Sequence, residues 1–369
     1  MKLEIKRQDL INLIGKTQNI VEKKNTMPIL SNILLEADGD FLKVFATDLE
    51  ISLTDSAKCT VLAPGKLAVS ARNLFDIVKE LVDGIVTLTK KENNWLEITQ
   101  GKYISKIVGI SADEYPIFPN FSKKSPLKIP SETLKEMIDK TIYSISNDET
   151  RYHLNGVYFE RREDESCSMV ATDGHRLSMV NRKLTMDPHF MNGQGVIIPR
   201  KALHEIRKLL DAVSGDFEII IEGSQLIFKA GHTVLLVRLI EGKYPNYSQF
   251  IPTKLKQKAM INREAFLSSI RRVALHANQK SKAITLTFMD GKLEISCSNP
   301  DLGDAKEELD VNYHGQQMKI GFNAKYIQDV LTSISDKEVD FEINDQLSPG
   351  LMRPHDDASY TCVVMPMRI

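Results

Sequence analysis

Hydrophobic and polar positions along this chain switch between two periods, and the same switch recurs three times. LEIKRQDLINLIGKTQNI (3–20), LKIPSETLKEMIDKTIYSI (127–145) and AMINREAFLSSIRRVALHA (259–277) each begin with an alternating strand and continue with helical spacing. In the middle copy Leu134, Met137, Ile138 and Ile142 fall on one helical face behind Ser131, a candidate N-cap. A second series follows each of these: GKLAVSARNLFDIVKEL (65–81), GVIIPRKALHEIRKLL (195–210) and MKIGFNAKYIQDVL (318–331). Each reads as strand, turn and helix, with aligned anchors at Leu74, Leu203 and Ile327 and an acid two places later at Asp76, Glu205 and Asp329. The pattern predicts six helices, over 8–24, 71–83, 131–145, 199–214, 263–278 and 324–335. Between them, short alternating runs such as WLEIT, NGVYFE, FEIIIEG and LIFKAG end in Gly, Asp or Asn and read as antiparallel strands.

A third landmark has the same spacing. FATDLEISLT (45–54), MVATDGHRLSMV (169–180) and SCSNPDLGDAKEEL (296–309) align Asp48, Asp173 and Asn299. Proline-rich joints at EYPIFPNFSKKSP (114–126) and KYPNYSQFIP (243–252) interrupt strand pairing. The chain therefore divides into three similar domains, 1–123, 124–252 and 253–369, and the last ends in the strand TCVVMPMRI. The fold class is α+β, with two helices and antiparallel sheets in each domain.

The run Asp173-Gly174-His175-Arg176 has the residue types of an active-site loop. Its recurrence argues otherwise, because a position that accepts Asp, Asp and Asn fits a turn-capping side chain better than a catalytic acid. A hydrolytic or metal site joining Asp173 and His175 to Asp148 or Glu149 is the enzymatic alternative. The chain has no H-E-x-x-H, P-loop or G-x-S-x-G motif to support it. No catalytic residue, metal or cofactor is expected.

Bulk properties exclude further classes. With 42% hydrophobic and 26% charged residues the composition is that of a globular protein, and no apolar run reaches membrane-spanning length. The opening MKLEIKRQDL lacks the apolar stretch of a secretory signal. Cys59, Cys167, Cys297 and Cys362 are widely separated, which predicts neither zinc binding nor disulfides and suggests a reducing compartment. The net charge of −1 means that any contact with nucleic acid requires charges segregated by face. The six predicted helices do carry 15 Lys/Arg against 12 Asp/Glu, so they are net basic and the remainder is net acidic.

RYHLNGVYFE (151–160), ATDGHRL (171–177), IGFNAKYIQDVL (320–331) and the terminal VVMPMRI (363–369), in three similar domains, resemble the bacterial DNA polymerase III β subunit family, the sliding clamps. The resemblance covers the whole chain. It implies the DNA clamp fold, two protomers joined head to tail as a homodimeric ring, and helices lining the hole. It also implies that double-stranded DNA is held without sequence preference and without catalysis. Expected partners are the replicative DNA polymerase catalytic subunit, the clamp loader, and other polymerases and repair proteins that carry a clamp-binding peptide. The expected location is the bacterial cytoplasm, at the nucleoid during replication, with no membrane association.

Carried over position by position, the resemblance places a peptide pocket at Arg151, Leu154, Thr172, Gly174, His175, Arg176, Leu177, Pro245, Asn323, Tyr326, Leu347, Pro349, Val363, Val364, Met365, Pro366, Met367 and Arg368. In this reading the aliphatic and methionine side chains form an adaptable apolar floor. His175, Arg176, Asn323 and Arg368 supply polar contacts, and Gly174 lets the chain turn beside the peptide. Gln249 and Phe250 stand where well-known family members have a basic and a small aliphatic residue, so peptide preference is expected to differ. Lys24, Arg72, Arg200, Lys201, Arg207 and Lys208 are expected to face DNA. The joint between protomers is expected at Lys79, Lys102, Ile104 and Ile107 on one side and Val273, Leu275, His276, Glu307 and Glu308 on the other. His276, if buried there, would make closure weaker at mildly acid pH.

Overall fold

All six helices form, and all are shorter than their sequence pattern: α1 (Arg7–Thr17), α2 (Ala71–Glu80), α3 (Ser131–Asp139), α4 (Arg200–Ala212), α5 (Arg263–Val273) and α6 (Ala324–Ser333). The computed structural model describes residues 1–21, 27–116, 126–164, 166–184, 190–191, 195–212, 215–253 and 255–368. Helix length is limited by the apolar face. In α5, Phe266, Leu267, Ile270 and Val273 are buried, and the next apolar residue, Leu275, already stands in a separate 3₁₀ turn. In the middle copy α3 stops at Asp139, and Ile142 belongs to a 3₁₀ turn. Ser131 is the first helical residue there, not the cap before it. True caps are Ser70, Asn262 and Asn323, whose side-chain oxygens accept from Asn73 N, Ala265 N and Lys325 N.

Among the described residues the strands form antiparallel sheets of thirteen, eight and four strands. They fall into two compact units, one built mainly from Met1–Ser131 with His204–Leu239, the other mainly from Glu132–Thr185 with Ile240–Ile369. The thirteen-stranded sheet belongs to the first unit and the other two sheets to the second. The strands of the middle repeat are thus shared between the units: Leu127–Pro130 and the three strands from Asp216 to Arg238 join the first, and the strands from Gly156 to Pro199 join the second.

Six strands carry the functional argument: β1 (Ile51–Lys58), β2 (Tyr103–Ile110), β3 (Arg176–Lys183), β4 (Thr233–Arg238), β5 (Gly303–Asp310) and β6 (Tyr360–Val364). β1, β3 and β5 each follow the recurring turn, and β2, β4 and β6 each lie near the end of a repeat. β1 pairs with β4 in the first unit, where Ile51 lies opposite Val237. β3 pairs with β6 in the second, where Arg176 lies opposite Val364. Even the flanking bond repeats, since Arg238 N donates to Glu50 O at 2.8 Å and Met365 N to His175 O at 2.9 Å.

The recurring turn is a capped turn in all three copies. Asp48 Oδ1 accepts from Glu50 N and Ile51 N at 2.9 and 2.6 Å. Asp173 Oδ1 accepts from His175 N and Arg176 N at 2.9 and 3.0 Å. Asn299 Oδ1 accepts from Asp301 N at 3.0 Å. One acceptor oxygen is all the geometry requires, which is why Asn can stand where Asp does.

Candidate functional site

An apolar cluster sits under the middle copy of this turn. Leu154, Val170, Leu177, Met179, Ile197, Tyr244, Tyr247 and Val363 are buried together, with Tyr158, Ile240 and Ile251 packed against them. Strand register explains the grouping: Leu177 on β3 lies opposite Val363 on β6 and also opposite Thr172 on its other neighbour. Tyr158 stacks on Tyr244 with ring centroids 4.8 Å apart. Tyr244 donates to Val170 O at 3.4 Å, and Tyr247 donates to the Glu160 carboxylate. Burial pushes both phenols above the usual tyrosine range, so each remains a hydrogen-bond donor.

Large apolar side chains of the surrounding segments are left in solvent. Tyr152, Phe250, Leu347 and Met365 are all exposed, Leu347 at 77%. Leu347 stands three residues before Gly350, which pairs with Val364 at the end of β6. Its turn is fixed by Asp345, whose Oδ1 accepts from Leu347 N and Ser348 N. His175 is exposed, and its backbone carbonyl binds Met365 N, so the outgoing C-terminal segment runs beside the turn. Met367 N then donates to Gly321 O at 2.8 Å and holds that segment against the strand ahead of α6.

The polar members of the expected pocket divide sharply. Arg176 is largely enclosed by its own chain: Nε donates to Asp173 Oδ2 at 3.1 Å, Nη1 to Asp329 Oδ2 at 2.6 Å, and Nη2 to Tyr143 O. Its guanidinium carbon lies 4.5 Å from the Tyr326 centroid and 5.3 Å from that of Tyr143. With its side chain 10% exposed, Arg176 braces the turn against α6 and is not a free peptide donor, which corrects its expected role. Asn323 is likewise committed, since Oδ1 caps α6 and Nδ2 donates to Ser281 O at 3.2 Å. Thr172 is buried, donating to Arg176 O and accepting from Gly174 N. Val364 is completely buried, so it supports the floor from behind.

Gly174 is required for a reason different from the one expected. Its φ is +89°, and a Cβ there would lie 2.9 Å from Arg151 Nη1. Arg151 crosses the turn to reach Asp173 O at 3.3 Å and is held from its other side by Asp148 Oδ2 at 2.9 Å. The Thr150 hydroxyl and then Arg151 hold the Asp148 carboxyl below the usual range. Asp148 and Asp173 are thus occupied by local bonds, and among the described residues no group of three or more His, Cys, Asp and Glu side chains could hold a metal. Pro245, Pro349, Pro366, Met367 and Tyr326 are half-buried around the site, and Arg368 is exposed.

The expected DNA-facing cations also separate. Lys24 lies outside the described residues. Arg72, Arg207 and Lys208 form pairs along their own helices with Asp76 (3.7 Å), Asp211 (2.6 Å) and Glu205 (2.7 Å). The exposed Arg72–Asp76 pair contributes only about 0.3–0.5 kcal/mol and exchanges readily for a phosphate, whereas Glu205 is buried beneath Lys208. Lys201 is half-buried on α4. Arg200 is different: Nη2 donates to Ile145 O and Ser146 O at 2.8 and 3.1 Å, and burial with the neighbouring Arg176 charge lowers its pKa. It ties the end of the first helical region of the middle repeat to α4, which corrects its expected role as a DNA contact.

At the expected joint, Ile104 and Leu275 are 65% and 77% exposed, and Lys79 and Lys102 are exposed. Ile107 and Val273 are buried at 9% and 2%, so they belong to the protomer core and are corrections. Glu307 is bound by Arg272, and Glu308 lies 3.6 Å from Lys292 and 3.7 Å from Lys306, all within one chain. His276 is half-buried with Nδ1 3.1 Å from Leu302 O.

Residue spacing did not reveal the tyrosines of the floor. Tyr244 and Tyr247 lie inside KYPNYSQFIP, which reads as a joint, and Tyr158 lies in a strand with no mark of function. The available signal was the pair of tyrosines flanking Pro245, where a solvent-facing linker would be polar.

Known proteins agree with this geometry over the whole length. Residues 1–119, 128–246 and 248–368 match the N-terminal, central and C-terminal domain models of the DNA polymerase III beta subunit. The β sliding clamp of Caulobacter vibrioides is 33% identical over 374 residues, covering all of both chains. Among solved structures, the sliding clamp of Bartonella birtlesii bound to griselimycin superposes with a TM-score of 0.96 at 33% identity, with full coverage of both chains. That of Bacillus subtilis gives 0.96 at 28% identity, covering 100% of this chain and 99% of the other. With three consecutive domain models matched and relatives similar from end to end, this chain belongs to the DNA polymerase III β subunit family.

Proposed function

We propose that the chain is a DNA sliding clamp: two copies close head to tail into a ring that encircles duplex DNA and tethers the replicative polymerase. The ring has no catalysis of its own. Clients, among them other polymerases, repair proteins and the loader that opens the ring, dock a short hydrophobic peptide over the tyrosine-lined floor. Its apolar anchors meet Leu154, Leu177, Val363 and Met365, with His175 and Arg368 at the rim. Arg72, Lys201, Arg207 and Lys208 on α2 and α4 contact phosphates, a charge-driven and sequence-independent interaction suited to sliding. No described helix is long and apolar enough to cross a membrane, and the reading places the protein in the cytoplasm. The proposed domains are 1–123, 124–252 and 253–369.

The observation that carries ring closure is a pairing made twice and left open once. β1 takes β4 and β3 takes β6, whereas β5 is the terminal strand of its four-stranded sheet. On its far side, among the described residues, β2 pairs only through Gly109 and Ile110. The two open edges correspond to the two halves of a third pairing, which only a second copy can complete. A heterologous contact of this kind closes a ring when the rotation per step is right, and it covers both edges.

Register follows from the repeat. Val237 lies three residues before Ile240, which bridges Ile197, and Val364 three before Met367, which bridges Gly321. Ile110, opposite Ala68, is the matching position in the first repeat. The third turn is one residue longer, because Ser298 pairs with Asp304 where Thr47 pairs with Ser52 and Thr172 with Leu177, so Gly303 takes the place of Ile51 and Arg176 and falls opposite the partner subunit's Ile107. The same register sets Lys306 opposite Ile104 of the partner subunit, Glu307 opposite the partner's Tyr103, and Glu308 opposite the partner's Lys102. A chain carrying Ile104→Cys and Lys306→Cys should form covalent dimers under mild oxidation, because directly opposed side chains lie about 5 Å apart. The pair Ile104→Cys with Ala305→Cys should not. Equal cross-linking by the two, or none by either, would refute this joint.

A further inference from the structure

Each of the two completed strand pairings is guarded by a cation at one fixed position. Lys16 stands nine residues beyond the start of α1, Lys140 nine beyond the start of α3, and Arg272 nine beyond the start of α5. In the first pairing Lys16 Nζ donates to Asp55 Oδ2 on β1 at 2.6 Å and to Thr233 Oγ1 at 3.1 Å, and Thr233 is the first residue of β4. In the second pairing Lys140 Nζ lies 4.8 Å from the ring centroid of Tyr360, the first residue of β6. Tyr360 in turn donates its hydroxyl to Lys140 O at 3.0 Å. Both times the helix cation meets the first residue of the incoming strand.

The third position is half-built. Arg272 is docked on β5 through Glu307, with Nε 2.9 Å from Oε2 and Nη2 on Oε1, yet its side chain remains 60% exposed. The corresponding incoming strand is β2, whose first residue is Tyr103. Tyr103 shares a face with Ile107 by strand alternation; Ile107 is 9% exposed, whereas Tyr103 is 44% exposed. An aromatic ring on the inward face of a strand with nothing over it matches a guanidinium held in place by one carboxylate.

We propose that at each joint of the ring Arg272 stacks on Tyr103 of the partner subunit, and that this contact sets the strength of closure. The inference rests on the head-to-tail reading above. Glu307 holds the planar guanidinium in one orientation before the partner arrives, so little side-chain freedom remains to be lost on contact. A cation over an aromatic face gains most where the joint excludes water. Tyr103 of the partner subunit lies opposite Glu307 in the register above, as Thr233 lies opposite Asp55 in the first pairing, so the ring arrives beside the guanidinium that the carboxylate holds.

Sedimentation velocity over a protein dilution series tests this, using the full chain and the variants Tyr103→Phe, Tyr103→Leu, Tyr103→Ala and Arg272→Ala. Tyr103→Phe keeps the π face and should close within threefold of the unmodified chain. Tyr103→Leu keeps apolar bulk without that face, and it should weaken closure at least tenfold, as should Tyr103→Ala. The double variant Tyr103→Ala with Arg272→Ala should be no weaker than the worse single one, because both remove one contact. Tyr103 is exposed in the protomer, so thermal melting of the isolated protomer should not move. If Tyr103→Leu closes like the unmodified chain, the stack is overturned and the ring reading stands. If the unmodified chain stays monomeric at every concentration, the ring reading itself falls, and the stack with it.

Discussion

Arg176→Ala should lower the stability of the second compact unit by about 3–5 kcal/mol, the range found when one partner of a buried ion pair is removed. The side chain is 10% exposed, so solvent screening offers little relief. Truncation leaves Asp173 and Asp329, at 15% and 14% side-chain exposure, without their guanidinium, strips Tyr143 O of its donor, and uncovers the Tyr326 ring. Lys325 still reaches Asp329, and the backbone amides of the turn still bind Asp173, which keeps the loss from being larger. In a thermal scan the transition of this unit should fall by on the order of 10 °C. Arg176→Lys should recover only part of the loss, since an ammonium cannot make the three divergent bonds or stack between two rings. A loss under about 1 kcal/mol for the alanine variant would mean that the brace is incidental.

Removing the last five residues, from Met365 onward, should abolish peptide docking and polymerase stimulation while leaving the dimer intact. Met365 N and Met367 N are the two backbone donors that hold this segment beside the turn, on His175 O and Gly321 O. Without them the floor loses its outer wall, and the side chain of Val363 lies at an open strand end. The joint strands β2 and β5 are untouched by the deletion. Fluorescence anisotropy with a labelled client peptide, together with sedimentation of the same sample, separates the two properties. Loss of both would indicate misfolding of the second unit, and retention of peptide affinity would show that the docking floor lies elsewhere.

The parts of this molecule legible in its sequence are those that repeat. Helix positions follow from apolar spacing because each helix must bury one stripe, and the capped turn follows because Asp48, Asp173 and Asn299 are interchangeable acceptors. Contacts between distant segments were not legible. Arg200 and Lys201 are neighbours of like charge, and only the carbonyls of Ile145 and Ser146 determine that the first is consumed structurally. Arg176 resembles a ligand contact until Asp329, 153 residues on, is seen to claim it. Ile104 and Ile107 are three apart on a strand and point to opposite faces, so strand alternation alone excludes the exposure of both at one joint. The aromatic floor stayed hidden because tyrosines in a proline-bearing joint carry no periodic signal.

Enclosure is the central claim, and retention on closed versus cut DNA tests it most directly. Protein loaded onto nicked circular duplex by its clamp loader should co-elute with the circle at salt concentrations that abolish simple electrostatic binding. A single restriction cut should then release it. Retention that is the same before and after linearisation, or that vanishes from intact circles as salt rises, would show that the protein adheres to DNA and does not surround it.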